Sequence, residues 1–428
     1  MATTLTDAGS LSPLSHRPAA EDQRENQREN LPLSPSSHTR RTPRGTLLIV
    51  LPIMPPEDRD CALENIATSM PGQPLVVAAA DDAGPLPSPP SAFLRYVSYA
   101  PAISHELRWI HTAADFHDAH ELVVRHSAAA VMLLGAEAHT LHPNAIAAIA
   151  APLFDDDADL SLARYILPPR TGLVNSAILY PVTRALFASA ARFPLALDLG
   201  LSKRMAQRLA ASAQVIAAQG DAGSLLWPIA EAAAAGYKVA EAAIGERALP
   251  APVTLDLNAV LTQVVGSLFA EIDSRAAYWQ RARRSPPTVP GPMQADNISA
   301  HDVEPMLDAF RLAYTNLHEI WSLVLPPQSL LSLKRLSLVE AAQFRMPDSL
   351  WARIIYDFIL AYRLRTINRS HLLGALTPLY LGWVASHLLL TSAGGVSPEE
   401  HINAVAAAFE TDKAYLVSRW RWPDRFNP

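Results

Sequence analysis

Short apolar runs alternate with helical patterns through the first two thirds of the chain. The runs TLLIVLP, QPLVVAAADDAG, AAAVMLLGAE and DLSLARYIL each predict a strand, and GYKVAEAAIG at residues 236–245 predicts a further one. The stretches CALENIATSM and FHDAHELVVRHSA, which lie between these runs, have the spacing of helices. Strands that alternate with helices are typical of an α/β domain with a mainly parallel, doubly wound sheet.

The pattern changes after the Pro-rich stretch SPPTVPGPMQADN at residues 285–297. Proline and glycine interrupt helices, so this stretch predicts a linker or long loop. Beyond it, VEPMLDAFRLAYTNLHEIW, SLWARIIYDFILAYRLRTI and PEEHINAVAAAFETDKAYLV all carry apolar residues at three-to-four spacing. We therefore predict a polar tail over 1–45, an α/β domain over 46–282, a linker over 283–300 and a helical domain over 301–428.

Composition narrows the classes of function. The net charge of −6 gives no electrostatic footprint for nucleic acid. The single cysteine, Cys61, suits a reducing compartment, and we expect a cytoplasmic protein. The apolar segment 372–390 approaches the length of a membrane span, but Pro378 and His387 interrupt it. We expect a buried or interfacial helix there.

The stretch LGAEAHTLHP, residues 134–143, follows a predicted strand, and α/β proteins place ligand sites at the ends of strands. Glu137 and His139 are possible oxygen and nitrogen ligands. A single carboxylate holds Mg²⁺ or Mn²⁺ poorly, because these ions prefer several oxygen donors. Glu137 is thus a weak metal-ligand candidate, and an ordinary loop is the alternative.

The segment RYILPPRTGLVNSAILYPVTRALF, residues 164–187, predicts a strand, a turn, and a helix closed by Arg184. Arg170, Thr171 and Asn175 in the turn either face a substrate or belong to an ordinary connection. The following stretch, RFPLALDLGLS, places Asp198 among apolar residues. An acid in that setting is a hydrogen-bonded structural group or a functional carboxylate with a perturbed pKa.

Taken in order, the segments between residues 46 and 270 resemble bacterial GT-A-fold glycosyltransferases, and are most similar to the family 2-like proteins related to glucosyl-3-phosphoglycerate and mannosylglycerate synthases. The resemblance implies a GT-A, Rossmann-like α/β domain followed by a helical C-terminal domain. It implies transfer of a hexose from a nucleotide-sugar donor to a carbohydrate or phospho-acid acceptor. It also implies a homodimer, as in related enzymes. The residues that match the donor region are Pro52, Glu57, Asp81, Asp82, Gly135 and Glu137. Those expected to bind the acceptor are Arg170, Thr171, Gly172 and Asn175, and those expected to be catalytic are Asp198 and Arg184.

The departures from the family pattern fall on the metal site. The Asp-x-Asp motif is Gly135-Ala136-Glu137 here, the position of a second family Asp holds Leu225, and GERALPAP lacks the family's metal-binding His. A metal contributes several kcal/mol to stabilising a leaving diphosphate. Its loss requires another cation, for which Arg164, Arg170, Arg184 and Lys203 are candidates, or else loss of turnover. Two hypotheses follow: a metal-independent transferase, or a catalytically inactive homologue that acts as a binding or regulatory partner.

The aromatic-basic ending RWRWPDRFNP, residues 419–428, leaves two interpretations open. Trp420 and Trp422 pack back on the helical domain, or with their neighbouring arginines they dock on a partner or on a membrane surface. The second interpretation would place the protein at the inner face of the membrane as a peripheral protein.

Overall fold

The computed structural model describes residues 45–81, 84–102, 109–219, 224–249, 256–283, 299–392 and 395–422. Residues 1–44 of the predicted polar tail, residues 284–298 of the predicted linker and the last six residues lie outside the described residues, as does Asp82. Residues 43–428 cluster as one compact unit, in which the α/β part and the helical part pack on each other.

Seven strands of the described chain form one sheet in the order β3-β2-β1-β4-β6-β5-β7. All neighbours are parallel except that β6 runs antiparallel to both β4 and β5. This confirms the predicted α/β class with a mainly parallel sheet. The strands are β1 Leu47–Val50, β2 Leu75–Ala80, β3 Leu94–Tyr99, β4 Ala130–Leu133, β5 Leu160–Ile166, β6 Leu199–Ser202 and β7 Val239–Glu246.

The central strands are apolar because helices cover both faces of a parallel sheet. Every residue of β1, β2 and β4 is buried. The helices of the α/β part are α1 Pro56–Ser69, α2 Ala113–His126, α3 Pro143–Asp155, α4 Tyr180–Phe187, α5 Lys203–Ala217, α6 Pro228–Ala235, α7 Leu257–Ser274 and α8 Ala276–Trp279. A π-helical turn, Asn175–Leu179, leads into α4, and a 3₁₀ turn, Ala138–Thr140, follows β4.

Five of the seven strands coincide with the predicted runs, and β3 and β6 were missed. Strand β6 is only four residues long and contains Gly200. A Cβ atom on Gly200 would lie 2.7 Å from Leu153 Cδ1, so α3 can pack this closely only over a glycine. The glycine that weakens the strand pattern in the sequence is therefore required by the packing of the strand.

The helical part consists of α9 Ala300–Asn316, α10 His318–Val324, α11 Pro327–Ser337, α12 Asp348–Leu364, α13 Arg369–Leu390 and α14 Pro398–Arg421. Helix α13 packs on α7 and α9, and α14 packs on α4 and α12. By length and composition α13 could cross a membrane, but 72% of its most apolar window is buried within the protein. This agrees with the expectation of a buried helix.

The described part of the C-terminal ending packs on the protein. Trp420 is 5% exposed and meets Trp279 edge-on at 5.0 Å between ring centroids. The guanidinium of Arg363 lies 4.0 Å from the centre of the Trp420 ring, and Arg419 is bonded to the buried carboxylate of Asp357. Trp422 remains 58% exposed. Residues 419 and 420 thus belong to the packed helical part, while a docking role for the residues after them stays a prediction.

Candidate functional site

Most of the site residues that are predicted from the sequence lie at the carboxyl edge of the sheet. Strands β1, β2, β4, β5 and β7 are parallel and end at this edge, where open α/β sheets bind ligands. Strand β6 is antiparallel, so its beginning, not its end, lies there. Asp198, directly before β6, consequently meets the loop that follows β4 and the end of β7.

A buried ion pair holds this edge together. The guanidinium of Arg247 donates to both carboxylate oxygens of Asp198, at 2.9 Å from Nε and 3.2 Å from Nη2. Both side chains are 0% exposed. Asp198 Oδ1 also accepts a hydrogen bond of 2.9 Å from the backbone amide of Gly135. Two-point pairing between a guanidinium and a carboxylate fixes geometry as well as charge.

Arg247 also fastens the loop after β4. Its Nη1 donates to the carbonyl of Glu137, to Thr140 Oγ1 at 2.7 Å and to the Ala248 carbonyl at 3.1 Å. The Asp198 backbone amide in turn donates to the hydroxyl of Tyr165 at 3.0 Å. The carboxylate and the guanidinium are therefore engaged within the protein. For Asp198, the structure fits the hydrogen-bonded structural group rather than a carboxylate that reaches an acceptor.

The residues present do not fit a divalent cation at this loop. Within the described chain, no group of three or more His, Cys, Asp or Glu side chains could hold a metal ion. Gly135 is buried and offers only its backbone, and the half-buried Glu137 lies 3.8 Å from His139 Nε2. Arg247 already binds the carbonyl of Glu137 and both carboxylate oxygens of Asp198, so these oxygens are engaged within the protein. Glu137 thus lacks the partners that a metal ligand needs.

The predicted donor residues lie in the loops that follow β1 and β2. Pro52 is buried after β1, Glu57 is exposed in the first turn of α1, and Asp81 is exposed immediately after β2. The loop after β2 is held by Arg59, which is 4% exposed and whose Nη1 donates to the Gly84 carbonyl at 3.1 Å. Asp81 and Glu57 are therefore exposed to solvent next to a loop that Arg59 holds in place. Asp82 lies outside the described residues.

The predicted acceptor turn borders a cavity of about 450 Å³. Arg170, Thr171, Gly172 and Asn175 all line it. Gly172 has a φ of +70°, and a Cβ atom on it would lie 3.0 Å from Leu167 Cδ1, so the turn requires glycine. Asn175 donates to the Arg192 carbonyl at 3.0 Å and begins the π-helical turn, a feature often found at functional sites.

The rest of the cavity wall is apolar and comes from distant segments. Tyr165 and Leu167 come from the end of β5, Phe193 and Leu197 from the approach to β6, and Tyr380 from α13. Helix α7 adds Val260 and Val264, and Trp109, which precedes α2, also lines the cavity.

A second cavity of about 400 Å³ lies beside the ends of β5 and β7. It is lined by Pro168, Pro169, Glu246 and Arg247 among others. Both cavities lie at the carboxyl edge.

The other predicted cations are placed away from these cavities. Arg184 is 7% exposed, forms an ion pair of 3.0 Å with Glu410 of α14, and donates to the Tyr180 hydroxyl at 2.9 Å. Arg164 pairs with Glu399 at 3.4 Å. Lys203 begins α5 after β6 and so lies at the opposite edge of the sheet. Of the four cations considered in place of a metal, Arg170 alone lines one of the two edge cavities described.

Sequence reasoning missed Arg247 and Tyr380. Arg247 lies in GERALPAP, directly after a predicted strand, which is the signal that could have marked it. Tyr380 belongs to an apolar helix some two hundred residues beyond the acceptor turn, and nothing in the local pattern connects the two.

Comparisons with known proteins find similar solved structures. No family model matches the chain, and no curated protein matches it. Glucosyl-3-phosphoglycerate synthase from Mycobacterium tuberculosis, in complex with Mn²⁺, UDP-glucose and phosphoglyceric acid, is 16% identical with a TM-score of 0.34, over 58% of this chain and 84% of that chain. The same enzyme with Mg²⁺ and UDP is 16% identical with a TM-score of 0.33, over 53% and 79%. At this identity and at TM-scores below 0.5, the likeness assigns neither a family nor a reaction to the present chain.

Proposed function

We propose that this chain is a glycosyltransferase-like protein that binds a nucleotide-sugar donor at the carboxyl ends of β1, β2 and β4, and transfers the hexose to an acceptor in the cavity beside Arg170. The observation that carries the proposal is that all four residues expected from sequence to bind the acceptor line one cavity at the ligand-binding edge of the sheet. Asp81 and Glu137 are proposed to contact the donor, because both reach the surface of that edge.

The proposed reaction is independent of a divalent cation. The loop that would hold the metal is instead tied to Arg247, whose charge is matched by Asp198. Arg170 is the cation proposed to lie nearest the reacting groups, since half of its side chain is exposed at the cavity.

Binding and turnover are tested separately. Thermal unfolding is followed with UDP, GDP, UDP-glucose and GDP-mannose, each with and without Mn²⁺. A ligand that binds only the folded state at a hundred times its Kd stabilises it by about 2.7 kcal/mol. We expect one nucleotide class to stabilise the protein equally with and without Mn²⁺, and Asp81→Asn to reduce that effect while Glu121→Gln on the exposed face of α2 does not.

A specific observation favours a second function, that of a catalytically inactive homologue acting as a binding or regulatory partner. Asp198 is the acid expected to reach the acceptor, and it is fully buried and paired. Stabilisation by a nucleotide sugar without release of nucleotide diphosphate, in the presence of a panel of acceptors, would favour this second function. Stabilisation by no nucleotide would contradict the donor site itself.

A further inference from the structure

The acceptor cavity has a chemical character of its own, separate from the residues that led to it. Its walls are contributed mainly by aliphatic and aromatic side chains, and Arg170 is the single charged residue among the described residues that line it. Its volume of about 450 Å³ is within the range of pockets that enclose small-molecule ligands. A mostly apolar pocket of this size with a few polar groups is typical of small-molecule sites.

The acceptor turn, residues 170–175, contributes one charged and two polar side chains to the cavity. Arg170 is half exposed and lies 4.0 Å from Asp302, whose Oδ2 also accepts a hydrogen bond of 2.8 Å from the backbone amide of Ser299. The chain turns at Gly172 and becomes helical from Leu173 onward. The first amide groups of a helix have no partners within it and favour negative charge. A cation and a helix start at the same place provide a site for an anionic group.

Tyr380 adds a polar group from a different part of the chain, since it lines the cavity from α13 while its side chain is only 5% exposed. Burial raises the pKa of its hydroxyl well above the usual range, so the hydroxyl stays protonated and can donate a hydrogen bond. An oxygen atom of a ligand in the cavity could accept that hydrogen bond.

We propose that the acceptor taken by this cavity is an anionic amphiphile, with its apolar chain against α7, α13 and the approach to β6, and its anionic head at Arg170 and the start of the following helix. The inference depends on the proposed function in one respect only, which is that the ligand of this cavity is called the acceptor. A small, fully polar acceptor such as a phospho-acid would leave the apolar wall without a partner.

Isothermal titration tests the proposal with soluble probes below their micelle concentrations: hexyl, octyl and decyl phosphate, inorganic phosphate, and octyl glucoside. Burial of each methylene group contributes about 0.8 kcal/mol, which is about fourfold in Kd. We expect the Kd of the alkyl phosphates to fall by about that factor per methylene until the cavity is filled. Inorganic phosphate should bind far more weakly than octyl phosphate.

Variants separate the head from the chain. Arg170→Gln should weaken octyl phosphate about tenfold or more, as expected for loss of a charge-assisted hydrogen bond, and should leave octyl glucoside unchanged. Arg335→Gln, at an exposed cation on α11, is the matched control. Tyr380→Phe should weaken binding several-fold.

Filling the cavity should remove the dependence on chain length. Val264→Phe on α7 places extra volume in the cavity, and Val260→Phe does so from a half-buried position if the first variant fails to fold. Val215→Phe, at a residue 61% exposed on α5, adds the same volume at the surface. A Kd that does not vary with chain length, or a chain-length dependence that survives both filling variants, would overturn the proposal.

The outcome is distinguishable from that of the proposed function. The alkyl phosphates are titrated without any nucleotide, so their binding does not require a donor site. Chain-length-dependent binding in a protein that no nucleotide stabilises would retain the amphiphile site and remove the transferase. Nucleotide stabilisation without alkyl phosphate binding would retain the donor site and remove the amphiphile.

Discussion

Removing the charge of Asp198 should destabilise the protein strongly, because the ion pair with Arg247 is out of contact with water. Both side chains are 0% exposed, and Asp198 accepts three hydrogen bonds, from Arg247 Nε, Arg247 Nη2 and the Gly135 amide. Asp198→Asn keeps the size of the side chain but leaves a buried guanidinium without a counter-ion. Loss of one partner of a buried pair costs about 3–5 kcal/mol.

A double-mutant cycle separates the pair from the rest of its contacts. Arg247→Met should cost a similar amount, since it leaves the buried Asp198 charge without a counter-ion and removes the Arg247 donor to the Ala248 carbonyl. In Asp198→Asn combined with Arg247→Met no unpaired charge remains. We therefore expect the double variant to be more stable than the sum of the single effects predicts, by about 2 kcal/mol or more.

The assay is urea unfolding followed by circular dichroism and by tryptophan fluorescence. Arg353→Gln serves as the control, because Arg353 pairs with Asp412 at 3.2 Å but is 47% exposed. Such a pair contributes at most about 1 kcal/mol. The reasoning would be refuted if Asp198→Asn cost no more than the control, or if the two single effects added within about 0.5 kcal/mol.

The other predictions concern pH, the turn and the C-terminal helix. Burial, with the neighbouring His401 and Arg192, lowers the pKa of His387 to about 3, so the folded state excludes a proton that the unfolded state binds below about pH 6.5. The free energy of unfolding should thus fall as pH drops from about 6.5 toward 3, by up to about 1.4 kcal/mol per pH unit from this group, and His387→Gln should flatten that slope in urea titrations. Gly172→Ala should lower the urea midpoint of unfolding more than Gly236→Ala does. Both glycines have a positive φ, but only at Gly172 would the new Cβ lie within 4 Å of a neighbour, Leu167. Equal decreases in the midpoint would show that the contact with Leu167 has no effect on stability. Trp420→Ala should cost about 3–5 kcal/mol, because the ring is buried against Trp279; a change below 1 kcal/mol would mean that α14 ends before this residue in solution.

The fold was largely predictable because the central strands are buried on both faces and are therefore continuous apolar runs. Strand β6 was not predicted because Gly200 interrupts its apolar pattern. A glycine is required at this position because Leu153 of α3 packs directly against it in the folded protein. Strand β3 lies at the edge of the sheet and buries only its two end residues, Leu94 and Tyr99, so it lacks a continuous apolar run.

The candidate site was predictable only in part, for a related reason. The acceptor turn is local in sequence, so Arg170, Thr171, Gly172 and Asn175 were found together, and the structure places them on one cavity. The sequence predicts that Asp198 is either a hydrogen-bonded structural group or a functional carboxylate. Deciding between these two roles depends on its pairing with Arg247, which is 49 residues away. The apolar wall of the cavity depends on α7 and α13. The local sequence pattern of these helices does not indicate that they pack against the acceptor turn.

The fastening of the loop after β4 bears on the motions of the molecule. Arg247 bonds to Glu137, Thr140 and Asp198, and Asp198 bonds to the Gly135 amide, so the loop cannot open without exposing a buried charge pair. Local fluctuations that expose amides are rare where opening is this costly. The Gly135 amide should therefore exchange its hydrogen with solvent only when the surrounding sheet edge unfolds, which makes it a reporter of global opening rather than of ligand entry.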